Sequence, residues 1–573
     1  MTPTHPSRFG VRARAAAALS ALTLAALSLS GCGALIQAGH KATPSNSAAA
    51  GSGNFEKDAE KAIKELENST SEAYGTEGMA PLKSIAPVVE SAAYDLGADP
   101  AKDERWKKFY DQRADWGKCE RAEYQGAECA TIEVPLKWND PEGATLSLLL
   151  TRVPATGDDK KGSLLINPGG PGGSGAEHVA AYGSMTISST VRKQYDLIGF
   201  DPRGVKDSDG VQCLDDAETD EMLSTDLPDT EEGKKKAKEW SDKLAKACKA
   251  KSSDRIQYVD TYSAARDMDV IRAAVESEKL DYLGFSYGTY LGATYAEMYP
   301  ERTGHLILDG AMDPALTTNE IVAGQAAGFE QAIKDFVTWC QNERGTCPLT
   351  GSVDEGIQQL RDFMTNAGKN PIPTASGRKL NETLASTAIL TALYSNETWE
   401  YVALGIESAT ANNSADVLLM LADLANEREE DGSFKSNSTF ANVAVNCLDH
   451  VGVTDEKWLK AEGERLAKKY PTFGPSLGSE EDGCANWPAK PVRYPKEIHA
   501  KGSSTIVVIG TTHDPATPYA WAESLNKQLD NSVLLTWEGF GHTAYSRSGG
   551  CIEEMVDAYL LEDKVPDDGA KCE

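Results

Sequence analysis

Ser286 sits in Gly284-Phe285-Ser286-Tyr287-Gly288, directly after the apolar run Leu280-Asp281-Tyr282-Leu283. A helix-like stretch from Thr289 to Tyr299 follows, and Pro300 stops it. Strand, Gly-x-Ser-x-Gly, then helix makes a sharp turn that projects the serine hydroxyl from a sheet edge. The flanking glycines let strand and helix approach each other. Alone, the same pattern also occurs as a plain glycine-rich turn, so the rest of a nucleophilic site has to be found. A serine so placed needs a base, an acid to orient the base, and N–H donors for an oxyanion.

In a strand-turn-helix setting of this kind the chain order is serine, acid, histidine. The chain has eight histidines, and those after Ser286 are His305, His450, His499, His513 and His542. His542 follows the strand-like Ser532 to Trp537, in Gly539-Phe540-Gly541-His542-Thr543. A loop after the last strand is where a base can face the serine; the alternative is a surface histidine. The acid belongs on the loop after the preceding strand, Ser504 to Ile509. Asp514 is the only carboxylate in Gly510 to Pro518 there. It would hold one tautomer of His542; the alternative is a turn-starting aspartate before proline.

One oxyanion donor is the N–H after the nucleophile, on Tyr287. The other belongs to an early strand-to-helix loop. Ser163 to Ile166 reads as a strand and runs into Asn167-Pro168-Gly169-Gly170-Pro171-Gly172-Gly173-Ser174-Gly175, where Gly170 is the second donor. A phosphate-binding loop is excluded, because no Lys-Ser or Lys-Thr follows and the glycine spacing differs. The set can run acyl transfer: His542 takes the Ser286 proton, serine attacks a carbonyl, and water releases the acid. No metal and no cofactor is expected, since no Cys/His cluster has zinc-site spacing.

The elements that must position these residues read as an α/β-hydrolase fold. Cys129 to Trp138 and Ala144 to Val153 form an antiparallel opening pair. Ser163 to Asn167, Tyr195 to Phe200, Leu280 to Phe285, His305 to Asp309, Ser504 to Ile509 and Ser532 to Trp537 complete a mostly parallel eight-stranded sheet, with helical stretches between most of them. Between Asp309 and Ser504 lie helix-like segments (Glu320 to Trp339, Val353 to Ala367, Ser414 to Glu427) and no obvious buried strand. That stretch is too long for a loop and is expected as an inserted helical lid. The expected organisation is a signal peptide at 1–31, a tether at 32–54, a helical lead-in at 55–104, core at 105–314, lid at 315–490, and core at 491–573. Helical patches are expected in the lead-in at Phe55 to Leu66 and Pro87 to Leu96. Asp201 and Arg203 are expected to shape a strand-end loop.

Arg8, Arg12 and Arg14 precede the apolar Ala15 to Leu29, which is short for a membrane span. Leu29-Ser30-Gly31-Cys32 is similar to a bacterial lipobox, making Cys32 the lipid-bearing mature N-terminus; the alternative is ordinary signal cleavage nearby. The chain has eleven cysteines, and setting Cys32 aside leaves an even set, as disulfides in an exported protein require. Spacing suggests neighbours without fixing connectivity: Cys119–Cys129, Cys213–Cys248, Cys340–Cys347, Cys447–Cys484 and Cys551–Cys572. The Ala-, Ser- and Gly-rich Ala34 to Gly53 is a flexible tether. The expected location is the outer face of the cell membrane, reached through the N-terminal lipid only. A formal charge of −30 argues against nucleic acid and against electrostatic binding to an anionic membrane.

The pattern resembles the secreted tripeptidyl aminopeptidases of actinobacteria, α/β-hydrolases related to prolyl aminopeptidases. The resemblance rests on Asn167 to Gly175, Asp201-Pro202-Arg203-Gly204, Gly284 to Thr289, Asn446-Cys447-Leu448-Asp449, Cys484-Ala485-Asn486-Trp487-Pro488, Asp514 to Pro518, and Gly541-His542-Thr543. It implies a serine exopeptidase that releases short peptides, such as tripeptides, from substrates with free N-termini. Such an enzyme needs a carboxylate for the substrate ammonium. Asp449 is the candidate, against a capping or loop carboxylate. An esterase or other acyl hydrolase on the same fold is the alternative, and a non-catalytic peptide-binding lipoprotein a more distant one. Epoxide hydrolase and dehalogenase chemistry is disfavoured, since it needs an aspartate where Ser286 stands.

Overall fold

The computed structural model describes residues 74–573 apart from positions 83, 98, 229 and 479–483. The expected signal segment, Cys32, the tether and Phe55 to Leu66 lie outside the described residues.

The strands are β1 (Gly117–Lys118), β2 (Glu128–Pro135), β3 (Thr145–Val153), β4 (Gly162–Asn167), β5 (Tyr195–Phe200), β6 (Leu280–Phe285), β7 (Thr303–Asp309), β8 (Ile372–Pro373), β9 (Lys379–Leu380), β10 (Ile506–His513), β11 (Ser532–Phe540) and β12 (Ala570–Cys572). Ten of them form one sheet, ordered β1-β2-β3-β5-β4-β6-β7-β10-β11-β12, and β8 and β9 make a separate small hairpin. Pairing is antiparallel from β1 to β5 and parallel from β5 to β12. All eight expected strands are present. The two additional members, β1 and β12, are short edge strands.

The central strands are apolar on both faces because helices cover both, as a parallel sheet requires. Alternate side chains divide cleanly. Tyr282, Leu306, Leu308, Ile506 and Val508 join one core with the helices Thr261–Ala274 and Tyr287–Met298. Leu283, Ile307, Val507 and Ile509 join the other with the helix Cys551–Glu562. Two connections meet at β4: the chain passes from β4 to β5 on one side, then crosses to β6 on the other. Such a reversal opens a crevice at the carboxyl ends of the strands. Register puts Asn167 opposite Gly284, Phe285 opposite Asp309, and Asp309 opposite Ile509. The loops leaving β4, β6, β7, β10 and β11 therefore converge on one edge.

The insertion between β7 and β10 is helical, beginning with Thr318–Asn342, Val353–Lys369, Glu382–Ala392, Trp399–Asn412 and Asp416–Ala425. These helices enclose a core of their own around Phe336, Leu360, Leu393, Leu418 and Leu421. The later helix Ser438–Asp449 differs: Phe440, Val445, Cys447 and Leu448 pack into the sheet's core. The Cys447–Cys484 bridge thus braces that helix against the sheet side, not the body of the insertion. All five disulfides pair sequence neighbours: Cys119–Cys129, Cys213–Cys248, Cys340–Cys347, Cys447–Cys484 and Cys551–Cys572. They mark an extracytoplasmic protein.

One expectation fails. Pro87 to Leu96 is not a helix but an extended strap followed by a turn. Val89 and Ser91 donate backbone N–H groups to Pro491 and Val492, and Ala86 donates to Gly452. Burial of Ala86 and Val88, then Ser91 and Ala93, follows the two-residue period of extended chain. Tertiary pairing has overridden a weak helical preference.

The first insertion helix starts with a reciprocal cap. Glu320 N–H donates to Thr317 Oγ1, while Thr317 N–H and its hydroxyl donate to Glu320 Oε2 at 2.9 and 2.8 Å. Both residues are buried, so water does not readily replace the bonds if one partner is removed. Thr317→Ala should lower unfolding stability by about 1–2 kcal/mol, read from urea denaturation, with activity per folded molecule unchanged.

Candidate active site

Ser286 lies between β6 and the helix Tyr287–Met298 with φ 56° and ψ −125°. A non-glycine residue there is strained and is held by its surroundings. Two contacts hold it. Ser286 N–H donates to the Asp309 carbonyl at 2.9 Å, and Thr289 N–H donates to the Ser286 carbonyl at 2.8 Å. The glycine loop presses on the other side. A Cβ on Gly169 would lie 2.5 Å from the Phe285 carbonyl oxygen and 2.9 Å from Ser286 Cβ. Gly169 also has φ +97°, so only glycine fits. Its N–H donates to Asn167 Oδ1. The Gly170 N–H, like that of Tyr287 at the helix start, donates to no group among the described residues. Asp201 secures the loop's far end, accepting from the Ser174 hydroxyl at 2.6 Å and from Ala176 and Asp207 N–H groups at 3.2 Å. Arg203 pairs with buried Asp267 through two 2.6 Å bonds beneath the strand-end loop.

His542 and Asp514 come together as a buried pair. His542 Nδ1 lies 2.8 and 3.0 Å from the two Asp514 oxygens, and the residues are 6% and 4% exposed. Asp514 also accepts from the N–H groups of Ala516 and Thr517 at 2.9 Å and from the Thr517 hydroxyl at 3.0 Å. These bonds hold the carboxylate aimed at the ring. With Nδ1 facing a carboxylate, the proton resides there and Nε2 is the free basic atom. Nε2 is buried and has no partner among the described residues. Ser286 is brought to the same corner: its N–H is on Asp309, and a Cβ on Gly310 would lie 3.1 Å from His542 Cε1. No hydrogen bond joins Ser286 Oγ to His542, a gap of the kind that tightens when substrate binds.

Asp449 is placed differently from an open anion site. It is 2% exposed, and it accepts from Thr261 N–H at 2.9 Å and from the Thr261 hydroxyl at 2.5 Å. That hydroxyl oxygen in turn meets the Tyr287 hydroxyl at 2.5 Å. Asp449 therefore binds the first residue of the helix Thr261–Ala274, which Asp260 caps, and is linked through the Thr261 hydroxyl to Tyr287. Burial pushes its pKa up to about 7.

Four participants escaped the sequence reading. Thr517 supports Asp514 and lies 3.3 Å from His542 Nδ1; it stood inside the Asp-Pro-x-Thr-Pro piece and could have been found there. Asp309 ends a strand as Asp-Gly, a weaker signal. Tyr394, from the insertion, accepts His542 N–H at its carbonyl and sets its ring edge-on to the imidazole at 5.4 Å. Arg547 holds carbonyls of the histidine loop. Neither of the last two had any local signal.

An elbow serine with a carboxylate-held histidine, at the carboxyl edge of an α/β-hydrolase sheet, is the equipment of a serine hydrolase, and this chain is one. Comparison narrows the class. Residues 162–348 match the family described as alpha/beta hydrolase fold, and residues 470–572 match the one described as TAP-like protein. The "Serine protease Hip1" of Mycobacterium tuberculosis is 38% identical over 480 residues, covering 80% of this chain and 91% of that protein. "Carboxylesterase B" of the same organism is 34% identical, covering 80% and 89%. The "Tripeptidyl aminopeptidase" of Streptomyces coelicolor is 28% identical, covering 76% and 81%. The chain belongs to the TAP-like α/β-hydrolase family.

Two outcomes follow from this geometry. Gly169→Ala should fold but lose at least about 100-fold in kcat, because the added methyl displaces the elbow and oxyanion donors together; burst titration of the serine checks it. The second concerns Asp449. Its folded pKa of about 7 lies above the ordinary carboxylate value. Between those values the folded chain holds a proton that the unfolded chain has lost, so stability falls as pH rises through that window. Asp449→Asn should flatten that fall in denaturation curves taken from pH 4 to 8.

Proposed function

We propose that this protein is an extracytoplasmic serine exopeptidase that releases short peptides, tripeptides in particular, from free N-termini. Ser286 is the nucleophile, His542 the base, Asp514 the residue that orients it, and the Gly170 and Tyr287 N–H groups the oxyanion hole. Attack of Ser286 on the scissile carbonyl gives a tetrahedral oxyanion, then an acyl-enzyme and a free amine, and water releases the peptide. Cys32 carries the lipid that holds the enzyme at the outer face of the membrane. The observation that carries the reading is the buried His542 pair, with Asp514 on Nδ1 and Nε2 left open.

The peptidase reading draws on the relatives named as a serine protease and as a tripeptidyl aminopeptidase. The relative named as a carboxylesterase favours a second reading, an acyl hydrolase indifferent to a free amine. An exopeptidase needs a carboxylate facing its substrate groove. Asp449 is buried on Thr261, whereas Glu427 is only partly buried and lies near the glycine loop, so that role is assigned to Glu427. Its Oε2 accepts from the hydroxyls of Ser436 and Ser438. The Ser438 carbonyl oxygen sits against Gly172 of the glycine loop, 2.7 Å from where a Cβ would be.

The discriminating assay is hydrolysis of Ala-Pro-Ala-aminomethylcoumarin beside its N-acetylated form and its one- and two-residue analogues, with Ser286→Ala as blank. The proposal expects strong preference for the free tripeptide. It also expects Glu427→Gln to raise KM at least about tenfold for that substrate and little for the acetylated one. Equal turnover of free and blocked substrates would leave the acyl-hydrolase reading.

A further inference from the structure

The loop that carries His542 is built from unfavourable conformations. Gly541, Thr543 and Ser546 have φ of +98°, +65° and +73°. For threonine, a β-branched residue, this region is a genuine outlier, and such strain persists only where the surroundings impose it. Two charged side chains impose it from opposite directions. Asp309, fully buried at the end of β7, accepts from Ala544 N–H at 3.0 Å and Tyr545 N–H at 2.8 Å. Arg547 donates through Nη1 to the carbonyls of His542 and Thr543 at 2.7 and 3.1 Å, and through Nη2 to the Phe540 carbonyl at 2.9 Å. The anion takes the loop's N–H groups and the cation takes its carbonyls.

Neither charge is neutralised in the ordinary way. Asp309 makes no ion pair among the described residues, and burial raises its pKa to about 6. Arg547 makes none either; its remaining polar contact is the Asn396 side chain at 3.2 Å, and its Nε is buried without a partner. The imidazole is surrounded by Asp514 from the β10 loop, Asp309 from β7, Arg547 from its own loop and the Tyr394 ring from the insertion. Glu397 is the acid that acts on Arg547 from the insertion. Asp309 also receives the Ser286 N–H at its carbonyl, so one residue references both reacting side chains.

We propose that Asp309 and Arg547 are positioning residues for the acyl-transfer step. They fix the His542 loop against the Ser286 elbow and set an anion on its N–H groups and a cation on its carbonyls, beside the histidine. The proposal rests on His542 being the base.

The test is kcat and KM for the best peptide or ester substrate across pH 4 to 9, for Asp309→Asn, Arg547→Gln, Arg547→Lys and, as reference, His542→Ala. Circular dichroism selects folded variants. The first two should lose at least about tenfold in kcat with KM within about threefold of wild type. The acid limb of the profile should move to lower pH in Asp309→Asn, where an anion favouring imidazolium is gone. It should move to higher pH in Arg547→Gln, where an opposing cation is gone. Arg547→Lys keeps the charge but cannot span three carbonyls; its kcat should fall with the limb unmoved. If Asp309→Asn does not fold, the two Arg547 variants decide alone. An unchanged kcat, or a limb that stays put in Arg547→Gln, overturns the proposal and leaves these residues as fold support. Full activity in His542→Ala would instead overturn the assignment of the base.

Discussion

The site depends on one backbone constraint, the left-handed Ser286 wedged between Asp309 and the glycine loop. Ser286 N–H reaches the Asp309 carbonyl only because β6 and β7 are paired in register to their ends, Phe285 opposite Asp309. Gly169 reaches Phe285 and Ser286 only because β4 is the neighbour on the other side, Asn167 opposite Gly284. The register is secured in turn by burial on both faces, since a one-residue slip would exchange the Tyr282 and Leu283 sides of the sheet. Elbow strain, the close approach of the glycine loop and strand pairing are therefore one structural fact.

Around that point the molecule buries several carboxylates and satisfies most of them with backbone N–H groups. Asp201 ties the glycine loop, Asp309 the histidine loop, Asp449 a helix start and Asp514 its own turn. A buried carboxylate is costly unless hydrogen-bonded, and Asp309 and Asp449 in particular join segments far apart in sequence. Arg203 and Asp267 do the same as an ion pair beneath the β5 loop. Loops that carry reacting groups need definite shapes while remaining irregular. Fixed acceptors supply the shape where neither helix nor strand can.

Much of this was legible in the sequence, and the divide has a physical basis. Eight strands declared themselves because buried parallel strands are continuous apolar runs. Ser286, Asp514 and His542 were placed by chain order and by the loops that follow those strands. β1 and β12 were not legible: they are two and three residues long, beside the Cys119–Cys129 and Cys551–Cys572 bridges, and pairing rather than composition makes them strands. Pro87 to Leu96 misled because its partners, Gly452, Pro491 and Val492, are hundreds of residues away. Asp449 lies in a family-like piece, and only the fold shows that Thr261 occupies it. Tyr394 and Arg547 act through backbone contacts, which leave no trace in residue type.

Those contacts also change what the insertion is. A lid in the simple sense would cover the serine and leave the catalytic groups to the sheet. Here Tyr394 accepts the His542 N–H and meets its ring edge-on, Ser395 bridges to Gly541, and Asn396 meets Arg547. The three consecutive residues lie between the insertion helices Glu382–Ala392 and Trp399–Asn412. They dock on the strained loop that Asp309 also holds. The histidine is thus held half by the sheet and half by the insertion. Displacing residues 394–396 would therefore disturb the His542 loop directly, because its backbone N–H, the Gly541 bridge and the Arg547 side chain all meet them.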